Sequence, residues 1–308
     1  LKVFAAVIIF VFLVPYSAAV YKGLGSMFSA IFPNISNNVW MLVIACLTAI
    51  YLVLGGDVAT AYTDFVQGII MIAGVIAMVI AILNTEAVGG AAHFMDNLRA
   101  LDGVTANNAP VGEQITSWFG GSSVKFLLCI NILLTSFGTW GLPQMVNKYY
   151  AIKDVKSIKQ AKYISTAFAL IIGCGAYFVG SLSRLVLNNT LPEGGVDSVI
   201  PQTLLTALGD INIVTTLIFA VILILLLSAS MSTLSSIVLS SSSAISVDLI
   251  PTVKKDYNPK HQMILTRILC FIFVACSYIF ATANISIIVN IMSFSWGIVS
   301  GCFIGPYL

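Results

Sequence analysis

The sequence predicts an all-α, polytopic membrane protein with about eight transmembrane helices. Three observations predict it. Of 308 residues, 14 are Lys or Arg and 12 are Asp or Glu, so charged residues make up only 8%, against about 25% in an ordinary soluble domain. Apolar residues reach 59%, and the mean hydropathy is +1.01. The apolar residues also fall into eight stretches close to the ~20 residues that a helix needs to cross a hydrocarbon core. These are approximately 3 to 20, 39 to 54, 62 to 83, 126 to 150, 161 to 187, 213 to 247, 263 to 282 and 287 to 308.

Each stretch has local reasons for its limits. The first follows Lys2. The second is short and closes on Gly55-Gly56-Asp57, a turn composition that sets Asp57 in solvent, and the third opens at once with Asp64 near its start. A polar segment, 84 to 125, follows it and predicts a short surface helix around Ala91 to Leu101. Span four holds Gly138, Gly141 and Pro143 in an apolar run, which predicts a broken helix. Span six is about ten residues too long for a straight crossing, so it should tilt or extend beyond the membrane.

Basic residues set the orientation. Lys148, Lys153, Lys156, Lys159 and Lys162 flank the loop at 150–161, and Lys254, Lys255, Lys260 and Arg267 flank the loop at 248–262. Both loops are expected to be cytoplasmic. The loops at 84–125 and 188–212 hold only Arg99 and Lys125 against Glu86, Asp96, Asp102, Glu113, Glu193, Asp197 and Asp210, and are expected outside. Eight alternating spans with an inside N-terminus satisfy all four assignments. The expected location is the cell membrane, with lipid around the helices.

Composition also removes function classes. A net charge of +2, scattered through loops, offers no basic face to nucleic acid. The six Cys form no CxxC pair, and the sequence holds no HExxH and no P-loop, so neither a zinc site, an enzyme nor an organic cofactor is indicated. The Ser-rich sixth span lacks an intramembrane base, which argues against a serine protease.

Three features within the spans bear on chemistry. Ten Ser and one Thr lie between Ser228 and Ser246, and at 100° per residue Ala229, Ser232, Thr233, Ser236, Ser240 and Ser243 form one stripe. Two readings stand: small hydroxyl residues let helices pack closely, or their oxygens bind a small hard cation such as sodium. Asp64 is the one acidic candidate within a span, where a carboxylate costs about 2.5 to 3.5 kcal/mol. It is either a helix N-cap or an ion ligand. The break across Thr135, Thr139, Trp140, Gly141, Leu142, Pro143 and Gln144 is either a packing kink or an unwound turn that exposes backbone groups to a solute path.

Three blocks carry a resemblance. Gly55-Gly56 with Ala59 and Thr63-Asp64-Phe65-Val66-Gln67, then Gly141-Leu142-Pro143-Gln144 with Lys148 and Ala151, then Ala229-Ser230-Met231-Ser232-Thr233-Leu234-Ser235 are similar to motifs of the sodium:solute symporter family. The resemblance covers essentially the whole chain. It implies part of a five-plus-five inverted-repeat bundle of the leucine-transporter type, residues 1–308 forming a single transmembrane transporter domain. The eight spans match core helices three to ten, with the first core helices and the C-terminal helices outside this range. It also implies a sodium site at the Ala229 carbonyl and the Ser232 and Thr233 hydroxyls, and a second at Asp64, Ser235 and Ser236. The chain departs from the family's proline carriers at Asp57, Thr135, Thr139 and Gln144.

The expected function is sodium-coupled symport of a small organic solute, such as an amino acid like proline, or pantothenate, by alternating access. A non-transporting sensor or receptor of the same fold is the alternative. A long soluble signalling extension would favour it.

Overall fold

The computed structural model describes residues 2–101, 103, 111–112, 136–150, 152, 154–209, 212–253, 258–283 and 285–307. The described secondary structure is helical. In chain order it consists of α1 (Lys2–Ile31), α2 (Asn37–Leu83), α3 (Gly90–Arg99), a 3₁₀ turn (Gly138–Gly141), α4 (Pro143–Tyr150) and α5 (Val155–Val186). A short 3₁₀ turn (Val196–Ser198) leads into α6 (Val199–Ala207) and α7 (Ile213–Ser243). A π-helical segment (Ala244–Leu249), α8 (Ile250–Val253), α9 (Pro259–Thr282) and α10 (Ile288–Tyr307) complete it. The surface helix expected around Ala91 is α3.

Six helices among the described residues are long and apolar enough to cross a membrane: Lys2–Ile31, Thr60–Leu83, Val155–Val186, Ile213–Thr252, Pro259–Thr282 and Ile288–Pro306. The eight expected spans are therefore not all established. Asn37–Val53 is a shorter apolar helix. Of the span read at 126 to 150, the part before residue 136 lies outside the described residues, Thr135 with it.

The backbone divides into two compact units, Leu1–Gln67 with Leu134–Lys153 and Ser228–Leu308, and Gly68–Leu133 with Asp154–Leu227. In the first unit α1 is central and packs on α9, α10 and the π segment. Phe10 meets Phe273 edge-on at 5.4 Å, and Tyr16 meets Trp296 at 5.5 Å. From α10, Ser295 donates a hydrogen bond to the Phe12 carbonyl of α1. Lys22 Nζ donates to the Ser286 carbonyl at 2.7 Å, between α9 and α10. These contacts run α1 parallel to α9 and antiparallel to α10, as alternating spans require.

α2 corrects one expectation. Gly55-Gly56-Asp57 was expected to be a turn between two spans, yet its backbone is helical within a single 47-residue element. A straight helix of that length would run about 70 Å, over twice the hydrocarbon thickness. It is not straight, because the hydroxyls of Tyr51 and Thr63 hydrogen-bond to each other. Along a straight axis twelve residues separate by ~18 Å, beyond the reach of these side chains. The axis therefore bends between them, and the glycine pair lies at the bend.

The π segment has a local cause. Pro251 cannot donate to Val247, and its ring crowds that carbonyl, so the ladder widens just ahead of it. α9 secures the widened turn: Thr266 Oγ1 donates to Ser246 Oγ at 2.7 Å, and Gln262 Nε2 donates to the Ser246 carbonyl at 3.1 Å. α9 itself starts cleanly, with the Asn258 side chain accepting from Lys260 N and Pro259 at the first turn.

The second unit packs α3 on α5 through Phe94 and Phe178, whose rings meet edge-on at 5.3 Å. α5 also contacts α6. Gly74 lies against Leu225, where even a Cβ would come within 2.5 Å of the leucine side chain, so the absence of a side chain lets α2 and α7 approach.

Candidate functional site

Several hydroxyls in the serine-rich stretch of α7 find a partner on its own backbone, whereas those of Ser241 and Ser242 are buried with none among the described residues. Thr233 Oγ1 donates to the Ala229 carbonyl at 2.9 Å, Ser235 Oγ to the Ser232 carbonyl at 2.9 Å, and Ser236 Oγ to the same Ser232 carbonyl at 3.0 Å. Such bonds remove the penalty of a bare hydroxyl in lipid. They do not use up the oxygens, since a donating hydroxyl keeps its acceptor lone pairs. The Ala229 carbonyl and Thr233 Oγ1, held 2.9 Å apart, thus present two hard oxygens on one side of the helix, with half-buried Ser232 next in the stripe.

The break is where the sequence predicts it. Residues 138–141 tighten into a 3₁₀ turn, Leu142 is extended at φ −83° and ψ 119°, and α4 restarts at Pro143. Two features fix this geometry on α10. A Cβ on Gly141 would sit 2.7 Å from the Ser300 carbonyl oxygen, so the approach is backbone to backbone and only glycine permits it. Ser300 Oγ also donates to the Gly138 carbonyl at 2.6 Å, satisfying a group near the interrupted ladder.

Past the break, Pro143 and Gln144 line a cavity of about 820 Å³. Asp64, Asn147, Lys148, Ser236, Ser240 and Asp248 line it as well. Lys148 Nζ lies 3.0 Å from Asp64 Oδ2, with the Lys side chain about half exposed and the Asp at 19%. Asp64 Oδ1 is buried and has no hydrogen-bond partner among the described residues. One residue before Lys148, Asn147 Nδ2 donates to Ser240 Oγ at 3.2 Å. Gln144 is only 3% exposed, yet neither polar atom of its carboxamide has a hydrogen-bond partner among the described residues. Leaving such groups unsatisfied costs about 1–3 kcal/mol each.

The expected site residues thus separate. Asp64 and Ser236 share the cavity, together with Pro143 and Gln144. Ser235, although adjacent, is 1% exposed and is not part of the lining. Ala229, Ser232 and Thr233 lie further back along α7 and do not line it. Of the break residues, Trp140 is exposed and Thr139 half-buried, whereas the Leu142 side chain is fully buried and packs instead of facing open space.

Two corrections follow. Asp64 is not an N-cap, because residues 60–63 before it are already helical and leave it no orphan N–H groups at a helix start. Lys148, which the sequence marks as a topological charge and as part of a motif block, is the direct partner of that carboxylate. No sequence pattern announces a pairing across 84 positions.

A sequence model of the sodium:solute symporter family matches residues 1–308. The chain belongs to this family. It is 26% identical to the high-affinity proline transporter of Bacillus subtilis over 297 residues, covering 96% of this chain and 59% of that protein. It is 28% identical to the sodium/pantothenate symporter of Haemophilus influenzae over 254 residues, covering 82% of this chain and 48% of that one. The fold matches a sodium-coupled sialic acid symporter solved in a substrate-bound outward-open state, with a TM-score of 0.71 and 20% identity over 98% of this chain and 62% of that chain. This family member thus spans about three fifths or less of the length of these relatives.

Proposed function

We propose that the protein performs sodium-coupled symport of a small organic solute across the cell membrane by alternating access, on a five-plus-five inverted-repeat bundle. The observation that carries this reading is the pairing of the Ala229 carbonyl with Thr233 Oγ1 on the serine helix of a chain that belongs to a sodium symporter family. Those two oxygens and the Ser232 hydroxyl belong to the main sodium site. Asp64 and Ser236, with Ser235 beside them, belong to a second. The broken segment from Thr135 to Gln144 belongs to the solute path, and the solute is of the kind named for the relatives, proline or pantothenate.

Orientation follows the positive-inside pattern. The loops at 150–161 and 248–262 are cytoplasmic, and those at 84–125 and 188–212 are outside. In support, the contact of Lys22 with Ser286 lies at one end of the first unit's helices, and those of Asp64 with Lys148 and Ser246 with Thr266 lie at the other. One sodium ion moving down ~100 mV supplies about 2.3 kcal/mol, enough for roughly fifty-fold solute accumulation.

Thr233→Ala in the full-length protein tests the main site, because it removes one oxygen without adding bulk. Half-saturating sodium for proline or pantothenate uptake into proteoliposomes should rise roughly ten-fold, the effect of ~1.4 kcal/mol of lost ligation. An unchanged sodium dependence would remove Thr233 from the site, and uptake of either solute without any need for sodium would end the symport reading.

A further inference from the structure

Among the described residues, three charged side chains line the cavity beyond the break: the carboxylates of Asp64 and Asp248 and the ammonium of Lys148. Lys148 meets only one oxygen of the Asp64 carboxylate: it holds Oδ2 at 3.0 Å, while Oδ1 stays buried with no hydrogen-bond partner among the described residues. Lys148 also lies on α4, the short helix that begins at Pro143 directly after the extended Leu142. The next residue back, Asn147, ties the same helix to Ser240. The far end of α4 is thus attached at two adjacent positions, one to the stripe of α7 and one to the carboxylate of α2.

We propose that the Lys148 ammonium is a tethered competitor of sodium at Asp64, so that sodium arrival at this carboxylate and release of α4 are one event. The inference rests on the reading of Asp64 as a sodium ligand and extends it. Two cations cannot share one carboxylate at contact distance without mutual repulsion. An ammonium on a flexible four-carbon stem can withdraw where a fixed ligand could not, and Asp248 keeps the cavity favourable to it. The exchange conserves charge next to Asp64: one monovalent cation enters as another leaves. Because the departing cation is bound to α4, ion occupancy is transmitted to the helix that continues the broken segment. A free counter-ion would transmit nothing.

The test uses purified full-length protein and sodium itself, with choline as the control cation. In equilibrium binding of radioactive sodium, Lys148→Gln should lower the half-saturating concentration roughly two- to five-fold, the size expected for removing a partly exposed ion pair. Lys148→Arg should leave it near the wild-type value. Asp64→Asn should abolish this binding component, and Lys148→Gln should then have no further effect. If Asp64→Asn alters binding but Lys148→Gln leaves the half-saturating concentration unchanged or raises it, the competition is refuted while the Asp64 site stands. If Asp64→Asn changes nothing, the site reading itself falls. A measurement on wild-type protein covers the case in which Lys148→Gln fails to fold. Labelling of Lys148 by an amine-reactive reagent should increase in sodium relative to choline, with exposed Lys156 unaffected, and equal labelling in both salts overturns the proposal.

Discussion

The two halves of α7 form one continuous helix but differ in surface chemistry. Before Ser228 it exposes Ile213, Val214, Leu217, Val221 and Ile224 and buries Ile222 and Leu225. From Ser228 onward it buries Ser235, Ser240, Ser241 and Ser242. A water-soluble helix would do the reverse. In lipid there is no gain from hiding apolar side chains, whereas hydroxyls need either a neighbour or their own backbone. Backbone geometry is shared, so the difference lies in what surrounds each half. The apolar half can tolerate almost any lipid-compatible side chain, and the serine half is shaped by what it must touch.

The largest test of that contrast exchanges the two chemistries. Ser242 is fully buried and Leu217 is 62% exposed. Ser242→Leu forces a larger side chain into closed space and should destabilise the detergent-purified protein by about 1–3 kcal/mol or more. Leu217→Ser should lower thermal stability by less, because its hydroxyl can bond the carbonyl one turn back. Equal losses in thermal unfolding would mean that the two halves do not differ in the way their exposure indicates.

A smaller effect separates neighbours within the serine half. Ser235 and Ser236 both donate to the Ser232 carbonyl, yet only Ser236 lines the cavity with Asp64. Ser236→Ala should raise the half-saturating sodium of the Asp64 component roughly five-fold, about 1 kcal/mol, and Ser235→Ala should leave it in place. Matching shifts in radioactive-sodium binding would return Ser235 to the ion set.

What the sequence discloses divides along similar lines. Apolar stretches, the break and the serine stripe are legible because each is a local pattern of side-chain type on a known helical period. The N-cap alternative for Asp64 arises because the apolar run begins near it, whereas backbone hydrogen bonding does not stop where hydropathy changes. Gly55-Gly56-Asp57 has the composition of a turn, and the chain does bend there, but it bends without leaving the helix. The contacts of Asp64 with Lys148 and of Asn147 with Ser240 join distant segments, and hydropathy has no term for them.

The smallest expected effect concerns how the apolar half of α7 begins, compared with α5 in the same unit. Asn212 Oδ1 accepts from Thr215 N at 2.9 Å, while Thr215 Oγ1 accepts from Asn212 N at 3.0 Å, a reciprocal cap. α5 starts on Asp154, whose carboxylate accepts from Ser157 N at 2.7 Å. Only the second cap titrates. The backbone bond from Ser157 holds the Asp154 carboxyl below its ordinary value in the folded protein. A depressed pKa means that the cap's contribution is complete above the unfolded carboxylate value, near 3.9, and is lost as pH falls through the lower folded value. After correction for intrinsic rates, amide exchange at the start of α5 should therefore accelerate on acidification below about pH 4, while the start of α7 keeps its protection. Asp154→Asn retains an acceptor but cannot titrate, and should make α5 as insensitive to pH as α7. Parallel loss of protection at both helix starts would show that acid loosens the unit as a whole and that the carboxylate cap has no separate part in it.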